Sequence, residues 1–299
     1  MDFFKEKLYK SIIWNNSYIQ NNNKFEYHNI FDNVILTCYI TSFKDPIHHY
    51  ELIPLYGEPK QPKDNFDYIK HFYNTVLEKN LHCIIFHDSC SDEFIKKYET
   101  DKIKFIKIDV SYWEYSINDE RFTIYYEFLK NNSYKKVLMC DISDVLINKN
   151  PFDIINDDYK IFAGTNHVLA GPKIRTPQWF DRRQTKVNRF NKYIRKFDNI
   201  GWLKNDKYQV YNAGLLAGNY KSVIKFLSKF DFILRELMPV SRKANWNMVI
   251  FNYIINKYLL EDYDENTFHT KYLVSGYPFN SMYKKYEQLG ESKCCLIHK

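Results

Sequence analysis

Short, uninterrupted apolar runs alternate along the chain with stretches in which apolar residues recur every three or four positions. Continuous runs of four to eight residues, bounded by polar turns, mark strands buried on both faces, and the wider spacing marks helices with one buried side. The first run is Asn33–Ile40 (NVILTCYI). Phe66, Ile69, Tyr73, Val76 and Leu77 follow at helical spacing, then a run at Leu81–His87, a short helix over Asp92–Tyr98 and a run at Ile103–Ile108. Ile117–Leu129 reads as a helix packing Phe122, Tyr125, Tyr126 and Leu129, and it feeds directly into Val137–Cys140. Strand character returns at Tyr159–Gly164 and Tyr208–Gly218, and helices are expected over Tyr220–Leu237 and Asn245–Tyr258. The tail alternates turns with short strands and stops at CCLIHK. This alternation predicts an α/β fold with a mainly parallel central sheet flanked by helices. Residues 1–30 are polar with scattered aromatics and read as a helical and linker extension. The segment 48–63, with Pro54, Pro59 and Pro62, reads as a loop. No repeat or composition shift divides the remainder, so 31–299 is expected to form one domain.

The chemistry gathers at Tyr134–Phe152, YKKVLMCDISDVLINKNPF. A buried run breaks abruptly on Asp141, Asp144 follows three residues later, and apolar residues resume at Val145. Ligands of such sheets sit beyond the carboxyl ends of the strands, where Asp141 would emerge. Two acids leaving a buried strand together repel each other unless a cation lies between them. A metal site is therefore the economical reading, against a pair of solvated turn aspartates.

Composition narrows this modestly. Net charge is +7, which suits a phosphate-bearing ligand or an anionic surface without requiring nucleic acid. Aromatics reach 18%, while glycine occurs only 8 times. The six cysteines (Cys38, Cys83, Cys90, Cys140, Cys294, Cys295) show no zinc-type spacing, and several sit in buried runs. A reduced, cytoplasmic setting is expected. No apolar run approaches the ~18 residues of a membrane span, and the first ten residues do not read as a signal peptide. Between Pro172 and Phe197 lie Lys173, Arg175, Arg182, Arg183, Lys186, Arg189, Lys192, Arg195 and Lys196 against one acid, Asp181. That stretch is either a solvated helical face, its bases recurring every three or four residues, or a loop folding over a phosphate-bearing or otherwise acidic ligand, with Trp179 or Trp202 to stack on a ring face.

With these pieces in place, the chain resembles glycosyltransferases of the GT-A fold, especially the retaining, glycogenin-like kind. The resemblance runs over roughly residues 33–299 and rests on motifs in order. LMCDISD stands where those enzymes end a strand on a DxD motif, and Arg121 in NDERF stands where they place an Arg some twenty residues earlier. Tyr211-Asn212-Ala213-Gly214 matches their N-A-G strand, Asn247–Asn252 (NMVIFN) loosely matches a late helix, and His298 with Lys299 matches a late His and Lys. Two departures stand out. The family acids are usually one residue apart, so the second ligand is either Asp144 or Ser143. The late helix commonly opens on Asp, whereas this chain has Asn247.

The resemblance implies a single GT-A (Rossmann-like) domain that moves a hexose from a nucleotide-sugar, UDP-linked, to an acceptor hydroxyl of a glycan, protein or small molecule. It implies Mn²⁺ or Mg²⁺ bridging the donor diphosphate as a Lewis acid, held by Asp141, Asp144 and His298. Arg121 and Lys299 would meet phosphate or sugar, and Asn212 and Asn247 the donor sugar or reacting face. Thr37 and Tyr39 would meet the base, core packing being the equal alternative for Tyr39. Retention, with the leaving phosphate taking the acceptor proton, is preferred by analogy. A sugar nucleotidyltransferase is the nearest rival, but Val34–Asp45 lacks the Gly-rich loop such enzymes use. A basic nucleic-acid-binding protein is the non-catalytic rival, and it leaves Asp141 and Asp144 unexplained.

Overall fold

The computed structural model describes residues 31–42, 63–155, 161–165, 188–195, 198, 211–241, 245–259, 273–275, 280–282 and 294–298. The expected N-terminal extension, nearly all of the expected 48–63 loop, Trp179, Trp202, Lys299 and most of the basic stretch lie outside them. In chain order the elements are β1 (Asn33–Tyr39), α1 (Phe66–Glu78), β2 (Cys83–His87), α2 (Asp92–Tyr98), β3 (Ile103–Lys107), α3 (Ile117–Asn131), β4 (Lys136–Cys140) and β5 (Val145–Ile147). Then come β6 (Ile161–Thr165), β7 (Tyr211–Asn219), α4 (Tyr220–Phe232), α5 (Asn247–Ile254), β8 (Leu273–Ser275), β9 (Asn280–Met282) and β10 (Leu296–His298). Both late helices run on into π-helical turns, Ile233–Leu237 and Ile255–Leu259. Apolar periodicity alone does not separate such a turn from the α-helix before it.

Seven strands form the central sheet in the order β3-β2-β1-β4-β7-β6-β8. All pairings are parallel except those of β7, which runs antiparallel to both β4 and β6. The mainly parallel α/β architecture expected from the sequence is the one observed. Burial follows the pleat: Val34 and Leu36 of β1, with Val137 and Met139 of β4, join one apolar cluster, while Ile35, Leu138 and Cys140 join the other. The first cluster lies under α3, α4 and α5, where Phe122 stacks on Phe230 with centroids 4.3 Å apart. The second lies under α1 and α2 and includes Val145, Ile147, Leu296 and Cys295. Helices therefore cover both faces, which is why the strands read as continuous apolar runs.

The C-terminal LIH segment forms a buried strand, and that strand, β10, belongs to a separate three-stranded sheet, β5-β10-β9. Of the basic stretch, residues 188–194 are helical. Phe190 and Ile194 are buried there while Arg189, Lys192 and Arg195 are exposed, which in this segment matches the solvated helical face. All six cysteines are free thiols. Among the described residues no helix is long and apolar enough to cross a membrane.

Candidate active site

Strand β4 ends at Cys140, opposite Leu215 of β7. The Asp141 N–H adds one further bond to this ladder, donating to the Gly214 carbonyl at 3.0 Å. That fixes Asp141 over the Asn212-Ala213-Gly214 segment at the start of β7. Here β6 also slips its register on β7, passing from Ala163↔Leu216 to Gly164↔Asn212, an irregularity of the kind that re-aims side chains beside sites. Asp144 immediately precedes β5, and β5 pairs antiparallel with β10 so that His298 lies opposite Val145. The small sheet thereby carries a histidine from the far end of the chain to the two acids.

Ligand-type atoms of Asp141, Asp144 and His298 all lie within 4.8 Å of one another. His298 Nε2 is 3.6 Å from Asp141 Oδ2 and 3.6 Å from Asp144 Oδ2. His298 is 2% exposed, and its Nδ1 has no hydrogen-bond partner among the described residues. On the other side of Asp141, Arg121 Nη1 donates to Oδ1, and Nη2 donates to the Ala213 carbonyl at 3.1 Å. Helix α3 delivers Arg121, and Ser116 starts that helix by accepting from the Asp119 N–H at 3.3 Å.

The charges balance locally. Burial alone would raise Asp141, but the Arg121 guanidinium and His298 outweigh it and hold its carboxyl well below the usual range. Burial alone would lower His298, yet the carboxylates of Asp141 and Asp144 push it up to about 9. Two cations, Arg121 and protonated His298, thus face two anions. A divalent ion would take the place of the imidazole proton, since a metal-bound histidine is neutral. The donor set also suits such an ion: hard carboxylate oxygens for Mg²⁺ or Mn²⁺, with an imidazole that Mn²⁺ accepts. Gly214 keeps the space open. A Cβ built there would collide with Asp141 Oδ2, would lie 2.6 Å from His298 Cε1 and would lie 2.9 Å from Asn212 Oδ1. The residues present therefore fit a divalent cation.

The other expected site residues fall in different settings. Asn212 borders the cluster, its Oδ1 accepting from the Gly214 N–H at 2.6 Å. Asn247 opens α5, is 4% exposed, and its Oδ1 accepts from the Met248 N–H at 2.6 Å. Thr37 is fully buried and donates from Oγ1 to the Cys140 carbonyl at 2.8 Å, which ties β1 to the end of β4. Tyr39 is also fully buried, and its hydroxyl accepts from the Asn65 N–H at 2.9 Å. Both environments are those of core residues.

Two residues with structural weight at the site carry little sequence signal. The local signal at Asp119 is a Ser-x-x-Asp helix start, which does not point to its partner Trp246, 127 residues away. Asn252 closes the loosely matched NMVIFN motif, and its amide holds the Tyr211 backbone at two points.

No known family model and no curated protein sequence matches this chain. Among solved structures it is similar to the galactosyltransferase LgtC in complex with donor and acceptor sugar analogs, with TM-score 0.43 and 13% identity over 89% of this chain and 86% of that one. It is similar also to an active-site mutant of LgtC, with TM-score 0.45 and 12% identity over the same shares of the two chains.

Proposed function

We propose that this chain is a metal-dependent glycosyltransferase that moves a hexose from a UDP-linked donor to an acceptor hydroxyl. The observation that carries the reading is the convergence of Asp141, Asp144 and His298 beside Arg121 at the carboxyl end of β4. The ordered motifs of the sequence support it, since three separate motifs contribute to this cluster: LMCDISD with Asp141 and Asp144, NDERF with Arg121, and the late His298. Asp141, Asp144 and His298 would hold Mn²⁺ or Mg²⁺, which when bound neutralises charge on a departing diphosphate. Arg121 keeps Asp141 ionised and oriented and adds a fixed positive charge where a diphosphate would lie. Asn212 borders the same space and would meet the donor sugar. Asn247, with its oxygen engaged by its own helix, offers an amide N–H₂ rather than a carboxylate, so the sugar contact there would be a donated hydrogen bond. In a retaining transfer the acceptor oxygen bonds to the anomeric carbon as the carbon–phosphate oxygen bond breaks, and the acceptor proton passes to the leaving phosphate.

The test is a panel of nucleotide-sugars with Mn²⁺, read by thermal stabilisation and by donor hydrolysis. UDP-hexoses should raise the melting temperature only with metal, by mass action. Asp141→Asn should fold and lose both responses. Asp144→Asn and Ser143→Ala in parallel identify the second ligand, with Asp144→Asn expected to carry the loss. Wild-type turnover in Asp141→Asn sinks the reading, as does stabilisation by nucleic acid alone that fades steeply with salt.

A further inference from the structure

Arg121 follows two acids, Asp119 and Glu120, and all surface of both is buried. Buried carboxylates need partners, and these two face opposite ways. Glu120 turns from the site: its Oε1 accepts from the Glu114 and Tyr115 N–H groups, each at 3.0 Å, and its carboxylate pairs with Arg235 beyond α4. Asp119 turns toward α5. Its Oδ1 accepts from the Trp246 N–H at 2.9 Å, and Ser116 Oγ donates to its Oδ2 at 2.7 Å.

Helix α5, anchored there, in turn grips β7. Asn252 Oδ1 accepts from the Tyr211 N–H at 2.8 Å and Asn252 Nδ2 donates to the Tyr211 carbonyl at 2.9 Å. Met248 Sδ accepts from the Ala213 N–H at 3.4 Å, and the Ala213 carbonyl accepts from Arg121 Nη2 at 3.1 Å. The links form a closed circuit: Asp119 to α5, α5 to Tyr211 and Ala213, Ala213 to Arg121, and Arg121 back to Asp119 within a single turn of α3. We propose that Asp119 is a positioning residue that sets Arg121, the Asn212–Gly214 segment of β7 and the start of α5 as one rigid unit. What those groups do for a ligand rests on the transferase reading above. The circuit itself rests on the contacts alone.

The experiment compares Asp119→Ala, Asp119→Asn and Glu120→Gln in the full chain. Glu120→Gln disturbs an equally buried acid on the same turn that faces away from the site. Amide exchange at Tyr211 and Ala213 should rise ~10-fold more in Asp119→Ala than in Glu120→Gln, because only the former opens the circuit locally. In Mn²⁺-dependent UDP-hexose hydrolysis Asp119→Ala should lose about 100-fold in kcat, the scale of a small misplacement. Its KM should move by less than ~3-fold, since ground-state binding is not what is lost. Asp119→Asn keeps an acceptor oxygen for Trp246 and should retain most of the activity. Met248→Leu opens the circuit at Ala213 without touching a charge, should shift exchange the same way, and serves if Asp119→Ala does not fold. Equal exchange in the Asp119→Ala and Glu120→Gln proteins overturns the proposal, as does unchanged kcat in Asp119→Ala. If wild type hydrolyses no donor and is stabilised by none, the transferase reading falls, while the exchange comparison still decides the circuit.

Discussion

Between Asp141 and His298 there is room at Gly214 for a hydrogen atom and no more. A methyl group there must push one of the two ligand candidates aside, and the Asp141 N–H bonded to the Gly214 carbonyl resists moving the backbone instead. Gly214→Ala is expected to cost on the order of 1–3 kcal/mol in urea unfolding, the range for overpacking, and to abolish the added stability from Mn²⁺ with UDP. Retention of that added stability would show that the acid and the histidine do not act together. Arg121 makes its two bonds through the fork of one guanidinium. Arg121→Lys keeps the charge but cannot reach both partners, so donor hydrolysis should drop by well over ~10-fold. Asp119 supplies a pH signature. Burial, reinforced by neighbouring Glu120, pushes its carboxyl up to about 7 despite the bonds it accepts. A raised carboxyl favours the folded state while protonated, so its contribution is full below about pH 4 and is lost as pH rises through about 7. Asp119→Asn should flatten the fall in stability across that window, measured by urea titration at a series of pH values. An unchanged slope would mean that this carboxyl titrates as in the unfolded chain.

At the scale of elements, the small sheet is what makes the site. Strand β10 is only three residues long, yet it is paired on both sides, antiparallel to β5 and parallel to β9. Its register puts His298 opposite Val145, next to Asp144. So short a strand is held by pairing on both edges and by the burial of Leu296 and Ile297. Deleting His298 would therefore remove a strand rung as well as an imidazole. His298→Gln separates the two effects, because it keeps the strand and a polar side chain. It should lower the apo melting temperature by no more than ~4 °C, about 1 kcal/mol for a chain of this size. It should also remove most of the stabilisation given by Mn²⁺ with UDP. A His298→Gln protein with the full metal response would take His298 out of the ligand set.

For the whole molecule, the sheet divides the core into two clusters, and aromatic side chains pack against one another in both. Phe122 stacks on Phe230, and Phe226 meets Phe251 edge-on at 5.2 Å. Phe122 is also the next residue after Arg121, so one side of the helix start builds the core while its neighbour builds the site. Phe122→Ala should cost roughly 3–5 kcal/mol, seen as a lower urea midpoint at unchanged slope. A loss below ~1 kcal/mol would mean that the cluster collapses to fill the gap.

What the sequence determined by itself was whatever depends on neighbours within a few residues. Apolar runs and three-to-four spacing marked most strands and helices, because a doubly covered parallel sheet leaves continuous apolar strands and amphipathic helices. The break from Cys140 to Asp141 marked the sheet edge for the same local reason. Tertiary structure decided the rest, since it turns on which distant segments meet. Nothing local shows that β7 runs against its neighbours, or that the C-terminal strand joins β5 in a second sheet. Asp119 and Trp246 are linked only once α3 and α5 pack together, and Thr37 becomes a bond to Cys140 only once β1 lies beside β4. Hydrophobic pattern records how deeply a residue is buried. The partner it finds there is fixed by sheet register and helix packing, which no single stretch of the chain contains.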